Sequence, residues 1–515
     1  MISVTELTEF FSVTNNKIEK LLSKNAFFFL VLISVCLLLV GIPILSQSAN
    51  IINLDAWGYM AVAKYYLTDP SPRLRDAYTV GPLILLIITT SKFILLKLFE
   101  WSHLADVLLL KGLAIACYVS IVVSAGIYLR RYASPGIVVV FLILFMGLPS
   151  WEMDNMTLNG ELMSLAWLTI LLAYLYKDDG SPSVYLVALL TLLVIYTKIQ
   201  SIILLAILLV GFYKDRNDLL KALAVVFSGF ILVEAILLFN GIGLLRNVSN
   251  MFAYAANPIM EKGAQATSFS LFDSLVNNRF FVNFSWAVEK LQRFVPLFGF
   301  VFIYYLLTSH KNGKKVFQDW RVWVLALFLT ILIPGRQYEH YTLYGILFVI
   351  AMAGPMLHEL NKIDKARHIS YATLIVVLCF FTFNTVKLIR PLAETQLRIG
   401  PEAQTALQIT QGTGGRVYIH GWDSSLYSLF NGWADDISIF SVTSKHIDPT
   451  TYLDRLVAKR YEYIIDVVGY SGYLDDPAYK INRSTIYGFY LVDYYDLVFY
   501  KNGLGVFRIK PAYRK

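Results

Sequence analysis

A chain of 515 residues with 57% apolar side chains, only 16% charged ones and a mean hydropathy of +0.58 lies outside the composition of soluble globular proteins, which carry about a quarter charged residues. Runs such as Phe28 to Leu45, Leu219 to Phe239 and Ile369 to Val386 approach or reach the roughly 20 apolar residues that a helix needs to span hydrocarbon, which excludes a string of soluble domains. The net charge of +8 is no nucleic-acid footprint: most of the excess sits in short loops between apolar runs, and from Leu388 onward 14 Lys/Arg face 13 Asp/Glu.

Residues 1–25 are polar and carry Lys17, Lys20 and Lys24 ahead of the first span, without the small-residue pattern of a cleavage site. They predict an uncleaved anchor with its N-terminus in the cytoplasm. A polar loop, 47–78, follows with Asp55, Asp69, Arg73, Arg75 and Asp76. The next stretch, 79–99, is apolar but opens on Gly81-Pro82 and contains Lys92 and Lys97. Loop charges decide how to read it. If 79–99 does not cross, the cytoplasmic side receives Arg130-Arg131, Lys177, Lys214 with Arg216 and Lys221, Lys311 with Lys314 and Lys315, and Lys362 with Lys365 and Arg367. If it crosses, all of those fall outside, against the tendency of short basic loops to stay in the cytoplasm. The segment is therefore expected to be juxtamembrane or re-entrant.

Further spans are expected near 105–129, 135–150, 162–176, 183–197, 199–213, 219–240, 291–308, 321–334, 341–357 and 369–387, which makes about eleven with the first. The expected fold class is an α-helical polytopic membrane domain, 1–387, with an extracytoplasmic α/β domain, 388–515. In that tail Arg416 to His420, Tyr461 to Val468, Phe489 to Val492, Leu497 to Tyr500 and Val506 to Ile509 read as short strands. Lys501-Asn502-Gly503 supplies an Asn-Gly turn, and Thr450 to Arg460 has helical periodicity. The tail holds no Gly-rich phosphate loop, metal-ligand cluster or nucleophile motif, which suits a recognition or lid domain. Cys36, Cys117 and Cys379 all lie in apolar runs and read as packing residues.

With that topology the loops 47–104, 151–161, 241–290 and 335–340 share the outer face with the tail. The first carries Asp55 in Asn53-Leu54-Asp55-Ala56-Trp57-Gly58-Tyr59, where Trp57 and Tyr59 suit a membrane interface. Alone, Asp55 is equally well a solvated loop residue. The second carries Glu152, Asp154 and Glu161 with no cation among them. Cations reach the same face as Lys198, in the short turn Lys198-Ile199-Gln200, and as Arg336 and His340. A lysine at a span end can also be a snorkelling anchor. Carboxylates and cations gathered at one membrane face suit chemistry on an anionic, lipid-borne substrate. Glu234, the acidic residue deep in a span, reads as a packed, hydrogen-bonded group.

The order of these motifs resembles the polytopic glycosyltransferases of the GT-C superfamily, especially the family related to protein O-mannosyltransferases and the lipid A aminoarabinose transferase. The matching elements are Asp55-Ala56-Trp57-Gly58-Tyr59-Met60-Ala61, Gly81-Pro82-Leu83, Asn159-Gly160-Glu161-Leu162, Lys198-Ile199-Gln200 and His340-Tyr341. The resemblance covers most of residues 45–360. It implies transfer of a sugar from a polyprenyl phosphate to a glycan, lipid or protein acceptor outside the cytoplasm, at the cell inner (plasma) membrane, with no nucleic acid involved. Asp55 would be the general base, and Glu161, or else Asp154, would hold the acceptor or steady positive charge on the sugar. Lys198, Arg336 and His340 would meet the leaving phosphate, with Tyr59 and Tyr341 lining the substrate. These residues leave open whether a divalent metal takes part. Two other classes remain in view: a polysaccharide ligase or polymerase using a diphospholipid-linked glycan, and a lipid-sugar transporter or flippase.

Overall fold

Helix dominates the residues that the computed structural model describes, as it must where no water is at hand to satisfy backbone groups. Those residues are 20–46, 81–98, 103–146, 158–176, 182–213, 215–239, 243–245, 343–362, 401–410, 417–420, 461–466, 494–501 and 504–513, with single positions 56, 59, 60, 63, 67 and 321. Among them, three helices are long and apolar enough to cross a membrane: Asn25–Leu45, Ala105–Leu129 and Arg216–Phe239. Shorter apolar helices stand at Pro135–Met146, Gly160–Leu175, Val184–Thr197 and Ile202–Phe212. The chain is a helical membrane protein with a small sheet. It divides into two units, one of Met1–Gln47, Lys111–Ile231 and Thr267–Glu394, the other of Ser48–Leu110, Leu232–Ala266 and Thr395–Lys515.

Helix α1 (Asn25–Cys36) passes through a π-helical turn, Leu37–Gly41, into α2 (Ile42–Ser46). Pro43 explains the widened turn, because its nitrogen has no hydrogen for the carbonyl one turn back. Two more helices follow in the chain, α3 (Pro82–Leu98) and α4 (His103–Leu129). They are followed by α5 (Pro135–Met146), α6 (Gly160–Leu175), α7 (Val184–Thr197), a 3-10 turn Ile199–Ser201, α8 (Ile202–Phe212), α9 (Arg216–Phe239) and α10 (Tyr344–Asn361).

In the first unit α6 packs on α7, α8 and α10, and α5 packs on α1 and α10. The side chains of α5, α6 and α10 are buried around almost the whole circumference, the mark of central helices. By contrast α9 presents Leu220, Leu223, Phe227 and Ile231 outward. An apolar exterior of that kind is a liability in water and the natural surface against acyl chains.

Hydrogen bonds sort the helix ends of this unit into two sets. At one end Arg130 donates to Asn25 Oδ1 (2.8 Å), Arg131 to the Ala173 carbonyl (3.1 Å), and the Ser134 amide to Asn361 Oδ1 (3.1 Å). That end gathers the start of α1, the ends of α4, α6 and α10, and the start of α5. At the other end Lys111 Nζ donates to the Leu45 carbonyl (3.0 Å), a cation seated on the last turn of α2.

In the second unit α3 and the first turn of α4 are joined by an ion pair. Lys92 Nζ stands 2.8 and 3.0 Å from the two oxygens of Asp106, with both side chains buried. The face of α3 away from Lys92 is exposed and apolar at Leu86, Phe93, Ile94 and Leu98. Glu234, five residues from the end of α9, accepts from the Leu244 and Leu245 amides at 3.0 and 2.8 Å. It is the packed, hydrogen-bonded carboxylate expected of it, and any Cβ at Gly243 would run into its Oε1 at 2.5 Å.

The tail portion of this unit holds α11 (Pro401–Thr410) and strands β1 (Val417–His420), β2 (Tyr463–Asp466), β3 (Tyr495–Lys501) and β4 (Leu504–Ile509). The sheet order is β1-β2-β4-β3, with β1 parallel to β2 and the other pairs antiparallel. Lys501 pairs with Leu504 across the two-residue Asn502-Gly503 connection, as the turn signal predicts. Among the described strands β3 pairs with β4, while 489–492 and 450–460 lie outside the described residues. The Tyr495 hydroxyl donates to the Tyr461 carbonyl at 2.9 Å, and burial pushes that phenol's pKa up.

Candidate functional site

The site of interest lies where α6 begins and α7 ends. Asn159 precedes α6 in extended backbone and caps it, its Oδ1 accepting from the Leu162 amide at 2.7 Å. Glu161 follows in the first turn, where the positive end of the helix favours a carboxylate. Its side chain is completely buried. Across from it, Lys198 breaks out of α7 with φ −153° and ψ 108°, while its amide still bonds the Val194 carbonyl and its carbonyl accepts from Ser201. The backbone reversal is thereby satisfied, and the lysine stem is free to lean over the start of α6.

Lys198 Nζ reaches Glu161 Oε1 at 2.7 Å. Gly160 makes the approach possible: a Cβ there would stand 3.1 Å from Lys198 Cδ and 3.8 Å from Nζ. The lysine side chain is 17% exposed and the glutamate side chain 0%. The pair therefore opens toward its surroundings on the ammonium side.

Directly behind the pair lies a cluster of buried hydroxyls. Ser164 Oγ donates to Ser201 Oγ at 2.6 Å, and Ser201 Oγ and the Tyr344 hydroxyl are 2.6 Å apart. These three residues come from α6, the 3-10 turn and α10, so the cluster ties the Lys198 turn to both central helices. Tyr344 is near enough to feel the charges of Glu161 and Lys198.

Of the residues singled out by sequence, Glu161 and Lys198 are brought into contact. Tyr59 is buried and belongs to the second unit. Asp55, Asp154, Arg336, His340 and Tyr341 lie outside the described residues. Among the described residues no three His, Cys, Asp or Glu side chains gather as a metal site. Asn159, Ser164, Ser201 and Tyr344 were not anticipated. A signal existed for two of them, since Ser164 stands three residues after Glu161 and Ser201 three after Lys198, a helical turn away in each case. No protein-family model matches the chain, and no curated protein matches it.

Proposed function

We propose that this chain is a membrane glycosyltransferase of GT-C type, with about eleven spans, that moves a sugar from a polyprenyl phosphate to an extracytoplasmic acceptor. The observation that carries the reading is the buried Glu161–Lys198 pair at the mouth of the first unit's helices. A fully buried carboxylate and a partly open ammonium at a helix start are costly to maintain in a membrane protein, and ionisable groups placed so are functional by default.

In this reading Lys198 meets the phosphate of the lipid donor as a positive charge. Glu161 holds the ammonium at a fixed place. As the bond between the anomeric carbon and the phosphate oxygen breaks, negative charge grows on the leaving lipid phosphate, where a preplaced cation is most effective. The acceptor oxygen attacks the anomeric carbon and its proton passes to Asp55. Arg336 and His340 would add to the phosphate site, Asp154 to the acceptor side, and Tyr59 and Tyr341 to the substrate walls.

The test is to incubate purified protein with a panel of polyprenyl-phosphate sugars and follow loss of the lipid donor. One donor should be consumed, and Asp55→Asn should slow that consumption by about 10²–10⁴-fold. Consumption of a diphospholipid-linked glycan instead would give the ligase reading. Transport of an intact lipid-sugar with no bond broken would end both.

A further inference from the structure

Three helix hydroxyls of the first unit turn back on their own helices. Ser120 donates to the Ala116 carbonyl at 2.7 Å, Thr169 to that of Ala166 at 2.9 Å and Thr197 to that of Leu193 at 2.7 Å. Such bonds are the habit of serine and threonine within helices. Ser164 and Ser201 depart from it. Ser201 stands immediately before α8, where a serine hydroxyl ordinarily accepts from an amide of the first turn. It makes no such bond, and its backbone there is already helical, with φ −70° and ψ −9°. Both serines are fully buried, and the bond between their hydroxyls crosses from one segment to another. Capping does not account for serine at position 201.

The spacing shows what the hydroxyl does instead. Glu161 and Ser164 are three residues apart in α6, and Lys198 and Ser201 are three apart in the turn after α7. Glu161 meets Lys198 at 2.7 Å and Ser164 meets Ser201 at 2.6 Å, so the ion pair and the hydroxyl pair are successive rungs between the same two segments. The Ser201 amide also donates to the Lys198 carbonyl at 3.0 Å, which closes the turn. The Tyr344 hydroxyl, 2.6 Å from Ser201 Oγ, joins the inner rung to α10. The backbone that leaves helical geometry at Lys198 is thus held from the far side of its turn by an uncharged group.

We infer that Ser201 is a positioning residue: its hydroxyl, held by Ser164 and Tyr344, fixes the place of the Lys198 ammonium against Glu161. The inference deepens the proposed function, in which the ammonium must stand where the leaving phosphate gains charge, a requirement sensitive to a displacement of about 1 Å. The contact itself does not depend on that reading.

The test uses the full chain in detergent and reads the coupling between Glu161 and Lys198 from unfolding of Glu161→Gln, Lys198→Met and the double variant. The cycle is measured in the parent and again in the presence of Ser201→Ala. Loss of a merely stabilising contact lowers all four proteins alike and leaves the coupling unchanged. Loss of a positioning residue lowers the coupling itself, here to about half or less. Thr169→Ala is the control, because it removes a buried hydroxyl of α6 that bonds within its own helix, and the coupling should keep the parent value. Ser164→Ala removes one of the two contacts of Ser201 and should lower the coupling by less; it carries the test if Ser201→Ala does not fold. Unchanged coupling in the folded serine variant overturns the inference, as does an equal fall with Thr169→Ala or a parent without coupling. On the donor that the parent consumes, Ser201→Ala should lower kcat about ten-fold with KM little changed. A coupling that needs Ser201 in a protein that consumes no sugar lipid would sink the transferase reading and leave this one standing.

Discussion

At the scale of single residues, the pairing of Glu161 with Lys198 changes what each substitution should do. A lysine that merely snorkels would tolerate methionine, which keeps length and apolar bulk. Lys198 is instead the counter-ion of a carboxylate with no exposed surface. Lys198→Met should therefore cost about 3–5 kcal/mol, because it strands a buried charge. Glu161→Gln with Lys198→Met removes both charges and should recover most of that loss, giving a coupling well outside the additivity seen for distant sites. Chemical unfolding of the two single variants and the double in detergent measures the cycle, and additive losses would mean that the pair is not formed. This contact was only half legible in sequence. Charge counting brings both residues to one face, but their touching depends on how α6 packs on α7 and on Gly160 leaving room for the lysine stem. Neither is a property of spacing. Asn159 stands two residues before Glu161 in the sequence, and its role as the cap of α6 becomes visible only in the folded chain.

At the scale of elements, α3 shows how a lysine in an apolar run can be read on the wrong ground. Lys92 within an apolar run counts against a span when the lysine is taken to face lipid. In the structure it is buried against Asp106, so its charge is matched within the protein. The face that α3 turns outward is apolar at Leu86, Phe93, Ile94 and Leu98, with Lys97 Nζ 5.5 Å from the Phe93 ring at the end of the stripe. A helix whose mid-run charge is matched inside and whose outward face is apolar suits solvation by acyl chains, with the lysine at its end free to snorkel. In a cysteine-free background, cysteine at Phe93 should react with a lipid-soluble maleimide and resist a charged, membrane-impermeant one. Equal labelling by both reagents would put this face in water. The tail was more legible, because strand alternation and the Asn-Gly turn are local signals and β3 and β4 follow them. Helix α11 was missed although Pro401 and Glu402 mark its first turn, since its short amphipathic pattern is weak beside the apolar runs.

At the scale of the molecule, the remaining question is on which side of the membrane each helix end lies, and here contacts and charges bear on each other. Lys111 of α4 holds the Leu45 carbonyl at the end of α2, so the chain leaves the first unit and returns to it at the same end. Between those points α3 is the apolar helix among the described residues, and the rest, 47–80, is polar in sequence. A single crossing by α3 would bring the chain back at the opposite end, which favours the non-crossing reading. The opposite end of the unit gathers Arg130 and Arg131, and the Glu161–Lys198 pair stands at the other. Basic residues in short loops belong in the cytoplasm, so the pair and the tail should lie outside. Two reporters test this together. A phosphatase fused after Lys515 should be active only when exported, and a reporter that works only in the cytoplasm should work when inserted after Arg131. Inversion of both would mean that α3 crosses and that the charge rule fails along the whole chain. Inversion of the Lys515 fusion alone would leave the first unit's orientation intact and place an error in the span count between α4 and the tail.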